Sequence, residues 1–403
     1  MESLQSSWHD ISSVGGLLAM ALGLSSRQQW VLQSEIRNMS IECERSGGIN
    51  LAQGVCDTEV PLAVRRGACQ AMEDGVNTYT HYAGLMELRE AIVRTYDRWY
   101  GIDVDPASEV IASAGSTGVF YCACLALLEP GDEVILFEPY YGYHVNTIIA
   151  TGGVPTYVRM QPPDWTFTRD DLERVVTHRT RGIMVNTPAN PSGKVFTRDE
   201  LETVADFARR HDIFVFTDEI YEHFLFDGAR HVPPMTLPGM RERTITISGV
   251  SKSFSITGWR VGYCICDARW SRTIGHFNDL VYVCTPAPLQ IGAARGLTEL
   301  GDDYYERLAR DYAAKREKIC SALDRAGLTP CVPQGSYYVL ADISRLPGGD
   351  GKEKVMHLLS TTGVACVPGR AFFHDDAGEN LARFCFAKED PVLDEACERL
   401  GRL

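Results

Sequence analysis

The 403-residue sequence has no run of lysine and arginine, and its 39 basic side chains are outnumbered by 53 acidic ones, for a formal charge of −14. A protein that neutralises a phosphate backbone needs a basic face, so nucleic acid is not an expected partner. C-x-x-C spacing is also missing. The closest cysteine pairs, Cys122/Cys124 and Cys264/Cys266, are C-x-C inside apolar runs, which argues against a zinc or redox site. All thirteen cysteines are expected as reduced thiols in a cytoplasmic setting, with no metal. No G-x-G-x-x-G is present, so a dinucleotide fold is unsupported. No apolar stretch is long enough to span a bilayer. The nearest candidate, Val14–Leu24, is short and follows a segment with only acidic charge, unlike a secretory signal. It is expected to be an arm that packs on protein, and no membrane partner is expected.

Internal repeats and low-complexity tracts are absent too. What remains is an ordinary globular composition, 45% hydrophobic and 23% charged, in a chain long enough for two domains. Between Val110 and Cys266, short β-rich runs alternate with helical patterns. The strand candidates are Val110–Ser113, Glu133–Phe137, Val154–Arg159, Gly182–Val185, Ile213–Thr217, Thr244–Ser248 and Val261–Cys266. Several are apolar at successive positions, as in strands covered on both faces. Helical patterns such as Arg198–Arg210 separate some of them, which predicts a mostly parallel, doubly wound α/β sheet. After about Gln290 the texture changes. A long helix is expected over Tyr304–Ala326, followed by short strands at Ser336–Ala341 and Arg383–Phe386. The expected division is an N-terminal arm or small-domain segment over 1–50, a large domain over 51–295 and a smaller α/β domain over 296–403.

Four segments carry candidate chemistry. Lys252, in Ser251-Lys252-Ser253-Phe254, follows a strand and precedes Arg260 by eight residues, at the mouth of an open sheet where ligands bind. A lysine that forms a Schiff base must lose its proton, which burial and a nearby cation promote. Arg260 offers a planar fork for a phosphate. Asn186-Thr187-Pro188-Ala189-Asn190-Pro191-Ser192-Gly193 is a rigid turn that can present an amide to a ligand. Thr217-Asp218-Glu219-Ile220-Tyr221 places a carboxylate at a strand's end, either facing the ligand crevice or capping the next helix. Ala114-Gly115-Ser116-Thr117-Gly118 joins a strand to the apolar helix Val119–Leu128. Its hydroxyls either cap that helix or help its N-terminus receive an anion.

With N-P-S-G, D-E-I-Y and S-K-S-F-S-I-T-G-W-R in this order and spacing, the chain resembles the class I/II aminotransferases, the fold-type I family that includes aspartate, kynurenine and glutamine transaminases. The likeness runs from about Ile49 to the C-terminus. It implies a large domain with a mostly parallel seven-stranded sheet, a smaller α/β domain, pyridoxal 5'-phosphate (PLP) as cofactor, and a homodimer with shared active sites. Lys252 resembles the lysine that carries the cofactor and then shuttles a proton. Asp218 resembles the partner of the pyridine nitrogen, which makes the ring an electron sink. Asn190 and Tyr221 look like donors to the phenolic oxygen. Gly115, Ser116, Thr117 and Arg260 resemble the phosphate cup, and Tyr141 the aromatic that stacks on the ring. Tyr79 resembles a tyrosine that reaches the neighbouring subunit's phosphate. Arg383 resembles the arginine that grips the substrate α-carboxylate, with Gly54 and Asn190 beside it. The chain departs from many relatives at Gly249, three positions before the lysine, where they carry Ser or Thr. Ser248 and Ser251 flank it and are the two alternatives for the hydroxyl that reaches the phosphate.

The resemblance implies amino transfer from an L-amino acid to a 2-oxo acid. Other chemistries on the same fold and cofactor are C–S bond elimination, ring-closing synthesis of the aminocyclopropane type and aspartate-specific transamination. A PLP-binding transcription regulator would need a basic DNA-binding domain before the core, and no helix-turn-helix pattern is visible. A neutral, aromatic or sulfur-containing donor is expected. Thr117 stands where some aspartate-specific relatives have lysine, and Phe120, Tyr121, Tyr140 and Tyr143 suggest an aromatic pocket. Arg37 and Arg45 are the N-terminal cations that can reverse this expectation.

Overall fold

A computed structural model describes residues 34–403. The expected arm over Val14–Leu24 lies outside the described residues. The chain enters through a helix, Glu35–Ser46, and strand β1 (Ile49–Asn50). Seven strands then form one sheet: β2 (Val110–Ala114), β3 (Glu133–Glu138), β4 (Val154–Arg159), β5 (Thr180–Asn186), β6 (Phe214–Asp218), β7 (Thr244–Gly249) and β8 (Val261–Ile265). Their spatial order is β2-β8-β7-β6-β5-β3-β4, and only β8 runs against its neighbours. All seven sequence candidates are in this sheet. Strands β3, β6, β7 and β8 are buried along their whole length, whereas β4, at the edge, is half-exposed. That contrast is why the inner strands read as continuous apolar runs.

Boundaries moved for identifiable reasons. Strand β6 begins at Phe214 rather than Ile213. Asp212 adopts a left-handed conformation (φ 49°) that ends the helix Arg198–His211, and Ile213 N closes onto Ala208 O. The same helix starts with a reciprocal capping box between Thr197 and Glu200, and its apolar face is Leu201, Val204, Ala205 and Ala208. The long C-terminal helix spans Asp302–Arg325, with Asp302 and Asp303 at its positive end.

The C-terminal third builds a four-stranded antiparallel sheet of β9 (Thr329–Cys331), β10 (Tyr338–Asp342), β12 (Val367–Pro368) and β13 (Leu381–Cys385), in the order β12-β13-β10-β9. Strand β10 begins two residues later than expected, because Ser336 has φ 61° and donates its N–H to Phe224 O instead of a ladder. Strand β11 (Val364–Ala365) pairs in parallel with β1, so the N-terminal segment is stitched to the C-terminal third. Leu51 continues this seam: its N–H donates to Ala365 O and its carbonyl accepts from Cys385 N.

The consequence for function lies in the strand ends. Strands β2, β3, β5, β6 and β7 all finish on one edge of the large sheet, and β8 begins there. Ser116, Tyr141, Asn186, Asp218, Lys252 and Arg260 therefore converge, as in open α/β sheets whose ligands sit at the carboxyl ends of the strands.

Candidate active site

At that edge lies a cavity of about 460 Å³. Its wall includes Gly54, Ser116, Thr117, Tyr141, Asn190 and Asp218, together with Tyr221, Ser251, Lys252, Arg260 and Arg383. Two sequence candidates are not part of the wall. Gly115 lies just behind it, and Tyr79 is 84% exposed, away from this cavity.

Lys252 follows β7, and its Nζ donates to Gly54 O at 3.1 Å. The ammonium also faces the Tyr221 and Tyr337 rings, 5.8 and 5.5 Å from their centroids. Burial pushes its pKa below the usual lysine range, and the Arg383 charge pushes the same way. A lysine so placed is poised to be a neutral nucleophile and base.

Asp218 ends β6, and its Oδ2 accepts from His144 Nε2 at 2.8 Å. Its other oxygen accepts the Ile220 N–H at 3.3 Å within a turn; no helix follows β6 there, so the helix-capping alternative gives way to the crevice one. Sequence reasoning missed His144. The available signal was its spacing three residues beyond Tyr141, which brings both to one end of the helix Gly142–Ala150. The Tyr141 ring lies edge-on to His144 at 5.3 Å and stacks on Tyr143 at 5.3 Å.

Arg383, on β13, has a fully buried side chain. Its Nη1 donates to Asn190 Oδ1 at 2.7 Å, its Nη2 to Ala52 O at 2.5 Å, and its Nε has no partner among the described residues. Tyr338, also unanticipated, lies under the guanidinium, 4.2 Å from ring centroid to Cζ, and shares a hydrogen bond of 3.1 Å with Tyr221. It also explains Gly54: a Cβ there would fall 1.8 Å from the Tyr338 hydroxyl.

The anion end is built from Gly115 to Thr117 and Arg260. Gly115 has φ 83°, and a Cβ on it would lie 2.2 Å from Arg260 Nη2. The helix begins at Ser116, and no side chain caps it, so its first N–H groups stay available. The capping alternative for these hydroxyls is thereby excluded. Arg260 donates to Thr257 O at 3.0 Å and to Ala114 O at 3.3 Å. Of the two competing hydroxyls, Ser248 is fully buried and donates to Glu222 Oε1 at 3.1 Å, whereas Ser251 lines the cavity. The expected aromatic pocket needs correction. Of Phe120, Tyr121, Tyr140 and Tyr143, only Tyr143 lines the cavity. Phe120 is core against Phe216, and Tyr140 packs on Tyr157.

Beneath the Asp218–Tyr221 turn lies a buried polar cluster. Glu219 Oε2 accepts from His231 Nε2 at 2.6 Å, and Glu222 Oε2 accepts from the Tyr100 hydroxyl at 2.5 Å. Burial pushes the Glu222 carboxyl up to about 7, against the pull of the His231 charge. Between about pH 4.5 and 7 the folded protein thus holds a proton that the unfolded chain has released. Stability contributed by this group falls as pH rises through that window, by on the order of 3 kcal/mol in all. The Tm of Glu222→Gln is expected to gain on the wild type between pH 5.5 and 8; a constant gap would refute the assignment.

These residues fit PLP. A glycine-walled helix start and Arg260 suit its phosphate, Asp218 its ring nitrogen, Tyr141 its ring face, and Lys252 its aldehyde. When bound, the cofactor supplies an electron sink for chemistry at an amino acid's α-carbon. Fold and site together define a fold-type I PLP enzyme. The family model for aminotransferase class I and II matches residues 46–400, and the chain belongs to that family. It is a PLP-dependent aminotransferase of amino acids. The kynurenine–oxoglutarate transaminase of Dictyostelium discoideum is 33% identical over 393 residues, spanning 88% of this chain and 90% of that protein. The methionine aminotransferase of Escherichia coli is 33% identical over 367 residues, spanning 91% and 94%. The structure of N-succinyldiaminopimelate aminotransferase from Mycobacterium tuberculosis superposes with a TM-score of 0.91 at 34% identity, covering 94% of this chain and 99% of that one.

Proposed function

We propose that this aminotransferase takes the amino group of a neutral, aromatic or sulfur-containing L-amino acid and delivers it to a 2-oxo acid. Lys252 carries the cofactor and moves the proton at the substrate α-carbon. Arg383 grips the α-carboxylate beside Asn190 and Gly54. Asp218, held by His144, keeps the ring nitrogen protonated, and Asn190 and Tyr221 donate to the phenolic oxygen. Gly115, Ser116, Thr117, Ser251 and Arg260 receive the phosphate. The observation that carries this reading is the buried Arg383 opening onto the same cavity as Lys252, already oriented by Asn190 and Ala52 O. An arginine so held recognises a planar carboxylate with little ordering left to do.

The donor class is supported by the kynurenine and methionine transaminases among the relatives and by the Tyr143 and Tyr338 rings in the cavity wall. The test is a half-reaction panel, following conversion of bound PLP to its amine form with kynurenine, methionine, phenylalanine, glutamine and aspartate. A tenfold lead in kcat/KM for aspartate, about 1.4 kcal/mol, overturns the donor class.

A homodimer with shared sites is part of the same proposal. The exposed run Leu280, Val281 and Val283 supports it, because an apolar patch in the open is a candidate subunit contact, and Tyr79, 84% exposed, is free to reach a neighbour. A division into 51–295 and 296–403, with the N-terminal segment on the latter, is supported by the β1–β11 pairing; crystals with and without substrate test whether these parts move as bodies. Thirteen unpaired cysteines support a reducing, cytoplasmic compartment, which localisation of the tagged chain tests. Among the described residues, no helix is long and apolar enough to cross a membrane.

A further inference from the structure

On the proposed reading, on which this inference rests, Lys252 carries the cofactor, so whatever fixes that lysine is part of the chemistry. Lys252 lies in the turn 251–256, where Phe254 N donates to Val250 O and Ile256 N to Ser251 O, both at 3.0 Å. Ser255, inside this turn, has φ 56°. A residue with a Cβ is strained in that left-handed region, and the conformation persists only where surrounding contacts hold it.

Those contacts come from a strap, 54–58, on the far side of the sequence from the turn. Thr58 Oγ1 and Ser255 Oγ, 197 positions apart, share a hydrogen bond of 2.5 Å. Cys56 Sγ donates to the Lys252 carbonyl at 3.7 Å, and burial pushes the thiol's pKa up, so it stays a donor. Gly54 O accepts from Lys252 Nζ at 3.1 Å. One strap thus holds Lys252 at its backbone and at its amine. The strap itself is anchored on the C-terminal third: Asp57 N donates to Ala387 O at 3.4 Å, and the Asp57 carboxylate pairs with Lys388 at 2.9 Å. Cys56, Thr58 and Ser255 are not part of the cavity wall, so they reach the chemistry only through Lys252.

We infer that the hydrogen bond between Thr58 and Ser255 is a clasp that positions Lys252, which makes both of them positioning residues for amino transfer. The clasp keeps the strained turn in the conformation that presents the amine to the cavity. Arg383 is oriented separately, by Asn190 and Ala52 O. Loosening the clasp therefore leaves the grip on the α-carboxylate intact and slows the steps that need the amine in place.

The first test is Thr58→Val, which keeps the shape and removes the hydroxyl. Its kcat is expected to fall about tenfold, roughly the worth of one neutral hydrogen bond, at unchanged KM and full PLP content. Thr58→Ser, which keeps the hydroxyl, is expected to retain the wild-type kcat. A pair of variants at Ser255 then separates the hydroxyl from the backbone. Ser255→Ala loses the bond and keeps the strain, so kcat and Tm both fall. Ser255→Gly loses the bond but enters the left-handed region freely, so its Tm is expected to rise above that of Ser255→Ala while its kcat stays low. Wild-type kcat in Thr58→Val, a loss carried by KM or by PLP content, or a kcat that recovers along with Tm in Ser255→Gly overturns the inference. A pyridoxyl label on another lysine would overturn the reading of Lys252 and the clasp together, whereas a label on Lys252 with an unaffected Thr58→Val overturns the clasp alone.

Discussion

Borohydride reduction of the PLP-loaded enzyme is expected to fix the pyridoxyl group on Lys252, and peptide mapping locates it there. The other buried lysines have visible occupations. Lys194 Nζ is paired with Glu200 at 2.7 Å, Lys315 with Asp390 at 2.9 Å and Lys388 with Asp57 at 2.9 Å, and Lys354 Nζ donates to Asn380 Oδ1 at 2.5 Å. Lys252 Nζ meets only the Gly54 carbonyl and aromatic rings, with no carboxylate in contact, and unlike the other four it lines the cavity. Its depressed pKa makes the neutral amine available at the wall of the cavity that Arg383 also lines. Lys252→Ala is expected to lose about 10⁴-fold or more in turnover, the upper range for a group serving as nucleophile and general base. A label on Lys194, or substantial turnover without Lys252, sinks the assignment. The same variant reads the shared site. If Tyr79 serves the partner's phosphate, mixing Lys252→Ala with an inactive Tyr79 variant produces heterodimers with one intact site, and activity rises above both parents.

Much of this was readable before any coordinates. The strands were legible because β3, β6, β7 and β8 are buried on both faces, which leaves uninterrupted apolar runs. Residues at their ends inherit positions from the strands, so Asp218, Lys252 and Arg260 followed with them. Side chains delivered by packing across the sheet or between distant segments left weaker traces. His144 reaches Asp218 across 74 positions of sequence, and its spacing from Tyr141 places it at a helix end without marking that meeting. Tyr338 sits in a tyrosine pair whose members have different work: Tyr337 donates to Gly54 O, while Tyr338 underlies Arg383. The aromatic pocket failed for a related reason. Phe120 and Tyr140 are near the site in sequence, but Phe120 lies on the helix face that packs on Phe216, and Tyr140, in the turn after β3, packs on Tyr157. Arg37 and Arg45 were equivalent as letters; helix geometry separates them, one in the first turn at the cavity and one in the last turn.

Asp218→Asn is expected to retain PLP yet lose turnover by about three orders of magnitude. Cofactor retention follows from the number of other holds: the helix start at Ser116, Arg260 and the Lys252 linkage do not involve the carboxylate. The electronic effect follows from charge. A carboxylate beside the ring nitrogen favours the protonated, electron-withdrawing form, whereas an amide of the same shape supplies no negative charge. His144 strengthens the distinction. Its Nε2 donates to one carboxylate oxygen at 2.8 Å while the Ile220 N–H donates to the other at 3.3 Å, so both fix the carboxylate's orientation at the cavity wall. In the amide variant His144 still finds an oxygen acceptor, so the geometry survives and the charge alone is removed. A loss on the order of 10³-fold corresponds to about 4 kcal/mol of transition-state stabilisation. The measurement is single-turnover conversion of bound PLP by a neutral donor, with cofactor content determined in parallel. Near-normal rates in a fully loaded variant would show that Asp218 does not tune the ring; a variant that loses both rate and cofactor would make it an anchor instead.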